Sequence, residues 1–284
     1  MSESSIEPPE LHREDILTIA DPHFDPENVA LVTGGGSGIG RAVALALAHN
    51  GLTAVATDVD EEGLAGTADR HAALGLDGAL HTVAGDLTSD DDCEAVVEKA
   101  AEHGRVTFLA NIAGLQTVAP IEEFPMDKYD LMQGAMLRAP LLLTKLCLPH
   151  MRAGDGVGAV GNMCSVHGHF VTKDKVAYNM VKFGLRGLTQ SIAAEGDGDV
   201  RAFSFSTAYV KTPLVTNQIA DTAEERGISE QEVVEDVMLG PARVKEMMEP
   251  VEAANVFTFA FSEHSKYLDA GDLLWDGGYT LTYE

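Results

Sequence analysis

The chain has 284 residues, of which 45% are apolar, and it carries 45 acidic against 19 basic residues for a formal net charge of −26. Binding to phosphate backbones needs clustered cations, so this balance argues against nucleic acid as a partner, and the length suffices for a single well-buried domain. The acids are scattered and only 9 residues are lysine, a pattern that reads as halophilic adaptation, because self-repulsion fades when the screening length falls to about 3 Å near 1 M salt.

The segment MSESSIEPPELHRED at the start has neither the basic nor the apolar region of an export signal, and no uninterrupted apolar run approaches the ~18 residues of a membrane span. A cytoplasmic protein without a membrane partner is expected. Cys93, Cys147 and Cys164 show no paired spacing and no neighbouring histidine cluster, so neither disulfides nor a metal site is predicted.

Residues 1–27 form an acidic N-terminal extension with Pro8, Pro9, Pro22 and Pro26, in which 11–19 is expected as a short helix packing on the body or on a neighbouring subunit. From Val29 onward short apolar runs alternate with segments of helical period, the pattern of βα units. Strands are expected over 29–33, 53–57, 80–84, 106–110, 158–163, 200–206 and 272–275. Helices are expected over 38–50, 61–74, 90–103, 128–151, 176–194 and 251–261. The reading is α/β: a single doubly wound domain over 28–284 with a mostly parallel central sheet of about seven strands. The polar stretch 210–249 shows little strand character and is expected to act as a lid or substrate loop.

The string Thr33-Gly34-Gly35-Gly36-Ser37-Gly38-Ile39-Gly40 closes the first strand and opens the first helix. Glycines at 34, 38 and 40, with Ser37 and Ile39 between them, let backbone N–H groups and a helix N-terminus approach a pyrophosphate. Asp58 ends the second strand, where a carboxylate accepts hydrogen bonds from the adenosine ribose and repels a 2′-phosphate, which predicts NAD over NADP. Asp86 and Leu87 are expected at the adenine edge, and Asn111, Ala113 and Gly114 beside the cofactor. Val210 and Thr212, after the sixth strand, complete the expected cofactor set.

Tyr178 and Lys182 are four apart and share a face if 176–194 is helical. A tyrosine titrating near ~10 needs neighbouring positive charge, from Lys182 and an oxidised nicotinamide, to act as a base near neutrality. Ser165 ends the fifth strand, at the carboxyl edge of the sheet where such folds bind ligands, and can orient the reacting oxygen.

Together with Asp276-Gly277-Gly278 near the C-terminus, these residues resemble the short-chain dehydrogenase/reductase family over about 28–280, which implies a Rossmann-type fold. The runs 113–116, 120–125, 165–168 and 212–215 with Gln218 and Ile219 are similar to D-3-hydroxybutyrate dehydrogenases, which oxidise (R)-3-hydroxybutyrate to acetoacetate with NAD. That resemblance implies Ser165, Tyr178 and Lys182 as catalytic residues. It also implies Gln116, His167, Lys175 and Gln218 as the substrate-carboxylate site, and a homotetramer or homodimer with helices 128–151 and 176–194 in the interface. The sequence departs from the family pattern at Met136 and Phe203, each in place of a usual Asn, at Thr207-Ala208 in place of Pro-Gly, at Ile112 and at Tyr279. Gln133, one turn before Met136, is a candidate substitute in the proton relay. Another small hydroxy acid, a polyol, a 3-hydroxyacyl substrate, or NAD binding without catalysis remain alternatives.

Overall fold

The computed structural model describes residues 6, 8–154 and 157–281, so the expectations for 1–5, 7 and 282–284 lie outside the described residues. The strands are β1 Asn28–Thr33, β2 Thr53–Asp58, β3 Leu80–Ala84, β4 Arg105–Asn111, β5 Gly158–Met163, β6 Val200–Thr207 and β7 Asp272–Trp275. They form one sheet in the order β3-β2-β1-β4-β5-β6-β7, and every ladder is parallel. All six residues of β1 and all six of β5 are buried, as expected of strands covered on both faces, whereas β3 and β7 at the edges are only partly covered.

Alternation along the strands divides the core. Ala30, Val32, Phe108, Phe203 and Phe205 face a layer containing α1 (Gly38–His49) and α9 (Pro250–Phe261). Val29, Leu31, Val106, Leu109 and Val160 face α3 (Asp90–Ala101), α5 (Ala139–Arg152) and α6 (Val176–Glu195). α2 (Glu61–Leu74) joins β2 to β3 and is capped by the Asp60 carboxylate at its start and by Gly75 at φ 57° at its end. The order reverses between β1 and β4, and the carboxyl ends of these strands diverge into the crevice where ligands bind in doubly wound sheets.

Three segments differ from expectation. Among the described residues of the N-terminal extension only Arg13–Asp15 is helical, as a short 3-10 turn. Two side-chain amides hold the rest of 15–19 as a strap. Asn50 accepts from Ile19 N–H (2.7 Å) and donates to the Leu17 carbonyl (2.9 Å), while Asn255 accepts from Leu17 N–H (2.8 Å) and donates to the Asp15 carbonyl (2.9 Å). With those groups taken, a helical ladder is not available to them.

The helix expected over 128–151 comprises α4 (Met126–Gln133), a π turn Gly134–Arg138, and α5. Pro140 has no N–H to give the carbonyl of Met136, so the regular ladder is interrupted, and the Ala139 N–H reaches Gly134 instead. By length and composition the run Met126–Arg152 could cross a bilayer; here Leu143, Cys147 and Met151 are buried against the sheet.

The polar stretch 210–249 is largely helical: α7 (Pro213–Arg226), α8 (Glu230–Glu232) and a π turn Val233–Met238. Ile219, Val233, Val234, Met238, Leu239 and Met247 give it a small core of its own. Pro213 at the first turn, Gly227 at φ 65°, and the Ser229–Glu232 capping box set its boundaries.

Candidate active site

Thr33 fastens the end of β1 to the end of β4, its hydroxyl accepting from the N–H groups of Ile112 (2.9 Å) and Ala113 (3.0 Å). The glycine loop lies on this joint. Gly34 has φ 69°, and a Cβ there would meet the Ala113 Cα at 2.9 Å, while one at Gly40 would run into the Gly34 carbonyl. Ser37 caps α1 without a side-chain bond, so the first N–H groups of that helix have no side-chain acceptor at the cap.

A cleft of about 480 Å³ runs along the carboxyl edge of the sheet. Its walls include Gly34, Ser37, Gly38, Ile39, Gly40, Asp58, Asp86, Leu87, Ala113, Gly114, Ser165, Tyr178, Lys182, Val210 and Thr212. Asn111 lies beneath it, 4% exposed, and donates to Asn162 Oδ1 at 2.9 Å. Wall residues without a polar signature in the sequence are Val59, Leu115, Leu131, Ala135, Met163 and Cys164. These are apolar or soft side chains whose part in the site comes only from the fold.

The Asp58 carboxylate accepts from the N–H groups of Gly36 (2.9 Å) and Asp60 (3.1 Å) and so faces the glycine loop from β2. Arg41 is held by the Gly36 and Gly63 carbonyls and donates to Thr67 Oγ1 at 2.9 Å. A cradle that Cβ atoms would fill, an open helix N-terminus and a strand-end carboxylate fit a nicotinamide dinucleotide.

At the other end of the cleft α6 presents Tyr178 and Lys182 on one face. Lys182 Nζ donates to the Met163 carbonyl at 2.7 Å and lies 5.3 Å from the centre of the Tyr178 ring. Burial brings the lysine down to about 8. Burial also drives the Tyr178 phenol up to about 12, against the pull of its hydrogen bond from Ser165. The sequence suggested that Lys182 favours the phenolate. Desolvation dominates here, and further positive charge is needed to draw the proton off.

Ser165 Oγ accepts the His167 N–H (3.2 Å) and lies 3.3 Å from His167 Nδ1, while His167 Nε2 is 3.0 Å from Thr172 Oγ1. Burial, then the charges of Lys175 and Lys182, lower His167 to about 4, so the imidazole is neutral at physiological pH. Gln116 Nε2 donates to Gln218 Oε1 at 3.2 Å, joining the loop after β4 to α7. Lys175 caps the start of α6 after Asp174 at φ 63°, and the backbone pairs there with Ala119. Burial lowers its pKa. His167 and Lys175 thus lie together beside Ser165, the Gln116–Gln218 pair bridges the loop after β4 and α7, and none of the four is on the wall of the cofactor cleft.

The sequence singled out His167 and Tyr279 but not Phe170 and Tyr209, which join them in a run of rings that continues from Tyr178. His167 meets Tyr178 edge-on at 5.6 Å and Phe170 at 5.6 Å, Phe170 stacks on Tyr279 at 5.8 Å, and Tyr279 meets Tyr209 at 6.1 Å. The turn at Asp276 places Tyr279 there, its carboxylate accepting from the N–H groups of Gly278 and Thr280.

Residues 28–223 match the family model for short chain dehydrogenases. The chain belongs to the short-chain dehydrogenase family. It is 34% identical over 258 residues to the uncharacterized oxidoreductase YxjF of Bacillus subtilis, covering 89% of this chain and 98% of that one. It is 31% identical to a D-beta-hydroxybutyrate dehydrogenase of Rhizobium meliloti, covering 88% and 98%. The crystal structure of levodione reductase superposes with a TM-score of 0.84 at 30% identity, covering 91% of this chain and all of that one. The chain is thus an oxidoreductase of the short-chain dehydrogenase type, with a nicotinamide cofactor and a small-molecule substrate.

Proposed function

We propose that the protein interconverts (R)-3-hydroxybutyrate and acetoacetate with NAD, and the observation that carries this is Lys175. It is a half-buried cation with no hydrogen bond or ion pair to any described residue, three positions from Tyr178, and its field reaches His167. An uncompensated ammonium whose field reaches the neutral His167 suits a carboxylate, and the Gln116–Gln218 pair offers further amide groups to it. Similarity to the Rhizobium meliloti enzyme supports the same substrate. NAD over NADP is supported by Asp58 on the cleft wall and by the engagement of Arg41 with backbone carbonyls, which leaves its guanidinium committed elsewhere than to a 2′-phosphate.

Tyr178 takes the hydroxyl proton of the substrate, Ser165 donates to the reacting oxygen, and Lys182, fixed on the Met163 carbonyl 5.3 Å from the Tyr178 ring, supports the phenolate. When bound, oxidised nicotinamide supplies the hydride acceptor and a positive charge beside the phenol. His167, neutral and tied to both Ser165 and Thr172, holds the serine hydroxyl in place.

Exposed Leu141 on α5 with Met180 and Phe183 on α6 supports a homotetramer or homodimer through those helices, testable by light scattering. The net charge of −26 supports function in concentrated salt. A cyclic or longer ketone is the second reading, favoured by the rings of Phe170, Tyr209 and Tyr279 that continue through His167 from Tyr178 and by the levodione reductase likeness. Steady-state turnover of (R)-3-hydroxybutyrate, its (S) enantiomer, longer 3-hydroxy acids, polyols and cyclic alcohols, with NAD and NADP in molar salt, decides. No turnover of (R)-3-hydroxybutyrate refutes the first reading, and NAD binding with no turnover of any alcohol refutes both.

A further inference from the structure

Met136 lies within the π turn Gly134–Arg138 and is 1% exposed. Its Sδ accepts the backbone N–H of Leu115 at 3.3 Å. Leu115 and Gly114 line the cofactor cleft, and the next residue, Gln116, is bonded to Gln218 on α7. On its other side Met136 belongs to an apolar cluster with Met132, Val181 and Leu185, against which Tyr178 packs. One side chain therefore touches both the loop on the cleft wall and the helix that carries the catalytic pair.

A backbone N–H seeks an acceptor, and for Leu115 the acceptor is a thioether, soft and weak but adaptable in direction. π turns are rare and occur mostly at functional positions. We propose that Met136 is a positioning residue: its sulfur fixes the Leu115 amide, and through it sets Gly114 on the cleft wall and Gln116 against α7. The inference rests on the dehydrogenase reading of the site and holds for whichever alcohol is oxidised.

Met136→Leu keeps the volume and removes the acceptor, whereas Met136→Asn restores one, because Oδ1 stands as many bonds from Cα as Sδ does. Hydrogen exchange at the Leu115 amide of the cofactor-free, full-length protein reads the bond directly and needs no substrate. In Met136→Leu the exchange should accelerate roughly tenfold, and KM for the alcohol that wild type turns over should rise roughly tenfold, the scale of one lost hydrogen bond. kcat and its pH profile should stay within twofold of wild type, since Tyr178, Ser165 and Lys182 are untouched. Met136→Asn should bring exchange and KM back together. Wild-type exchange in Met136→Leu overturns the proposal. So does an equal fall of thermal stability and kcat in both variants, which marks packing alone. A wild-type protein that leaves 3-hydroxybutyrate untouched refutes the proposed substrate and leaves the exchange result standing.

Discussion

Lys175→Met separates a carboxylate anchor from a structural lysine because the two roles predict opposite signs. The ammonium is half-buried without a partner among the described residues, and burial lowers its pKa. The charge therefore opposes folding until a carboxylate meets it. The sign follows from linkage: the folded protein releases this proton more readily than the unfolded chain, so stability from the group rises as pH passes the lowered value. Methionine keeps the stem and removes the charge, so the thermal midpoint near neutral pH should hold or increase. Binding should move the other way. A hydrogen bond to a charged group is worth about 1.5–3 kcal/mol, which converts to a rise in KM for 3-hydroxybutyrate of roughly 10- to 150-fold. KM for NAD and turnover of a neutral 2-alkanol should not change. The assay is steady-state kinetics with both alcohols at saturating NAD, beside thermal melts. An unchanged KM for the hydroxy acid, or equal losses with the neutral alcohol, refutes the anchor.

Three other outcomes follow from the same geometry. Asp58→Ala should raise KM for NAD and lower that for NADP, since the carboxylate that faces the glycine loop and would repel a 2′-phosphate is gone; an unchanged cofactor ratio removes Asp58 from the choice. Tyr178→Phe should lower kcat by about 10²–10⁴-fold, the worth of a general base, with NAD affinity retained in a titration; activity within tenfold of wild type assigns the proton transfer elsewhere. His167 has a folded pKa of about 4 against an ordinary 6.5, so the stability it contributes is complete above 6.5 and lost as pH falls toward 4. Thermal midpoints should decline over that window, less so in His167→Gln, and a pH–rate profile should show no step near 6.5 from this residue.

The central sheet was legible because strands covered on both faces, such as β1 and β5, read as short apolar runs, and because the glycine loop needs residues that only a tight strand-to-helix turn explains. Tyr178 and Lys182 were legible as an i, i+4 pair once α6 was inferred. What escaped depends on long-range pairing. The strap at 15–19 is decided by Asn50 and Asn255, one of them some 240 residues away. The segment 210–249 looked polar because its apolar residues serve a small private core beneath an acidic surface. The titration of Tyr178 escaped for another reason: burial is a property of the assembled site, and here it holds the proton on the phenol.

The departures from the family pattern sort by what each residue touches. Phe203 faces the α9 layer, packing its ring against Phe257 at 5.7 Å and Phe261 at 5.2 Å, so that exchange is absorbed in the core and does not reach the cleft. Ile112 gives its backbone N–H to Thr33 and keeps the β1–β4 joint intact. Thr207 and Ala208 line the cleft with Ile112, and Tyr279 packs edge-on against Tyr209. The departures that reach the cleft are thus Ile112, Thr207 and Ala208, whereas Ser165, Tyr178 and Lys182 are all retained on its wall. A protein that had abandoned catalysis would have no use for a buried ammonium on the Met163 carbonyl beside a desolvated phenol, since both groups cost stability and neither is needed to bind a dinucleotide.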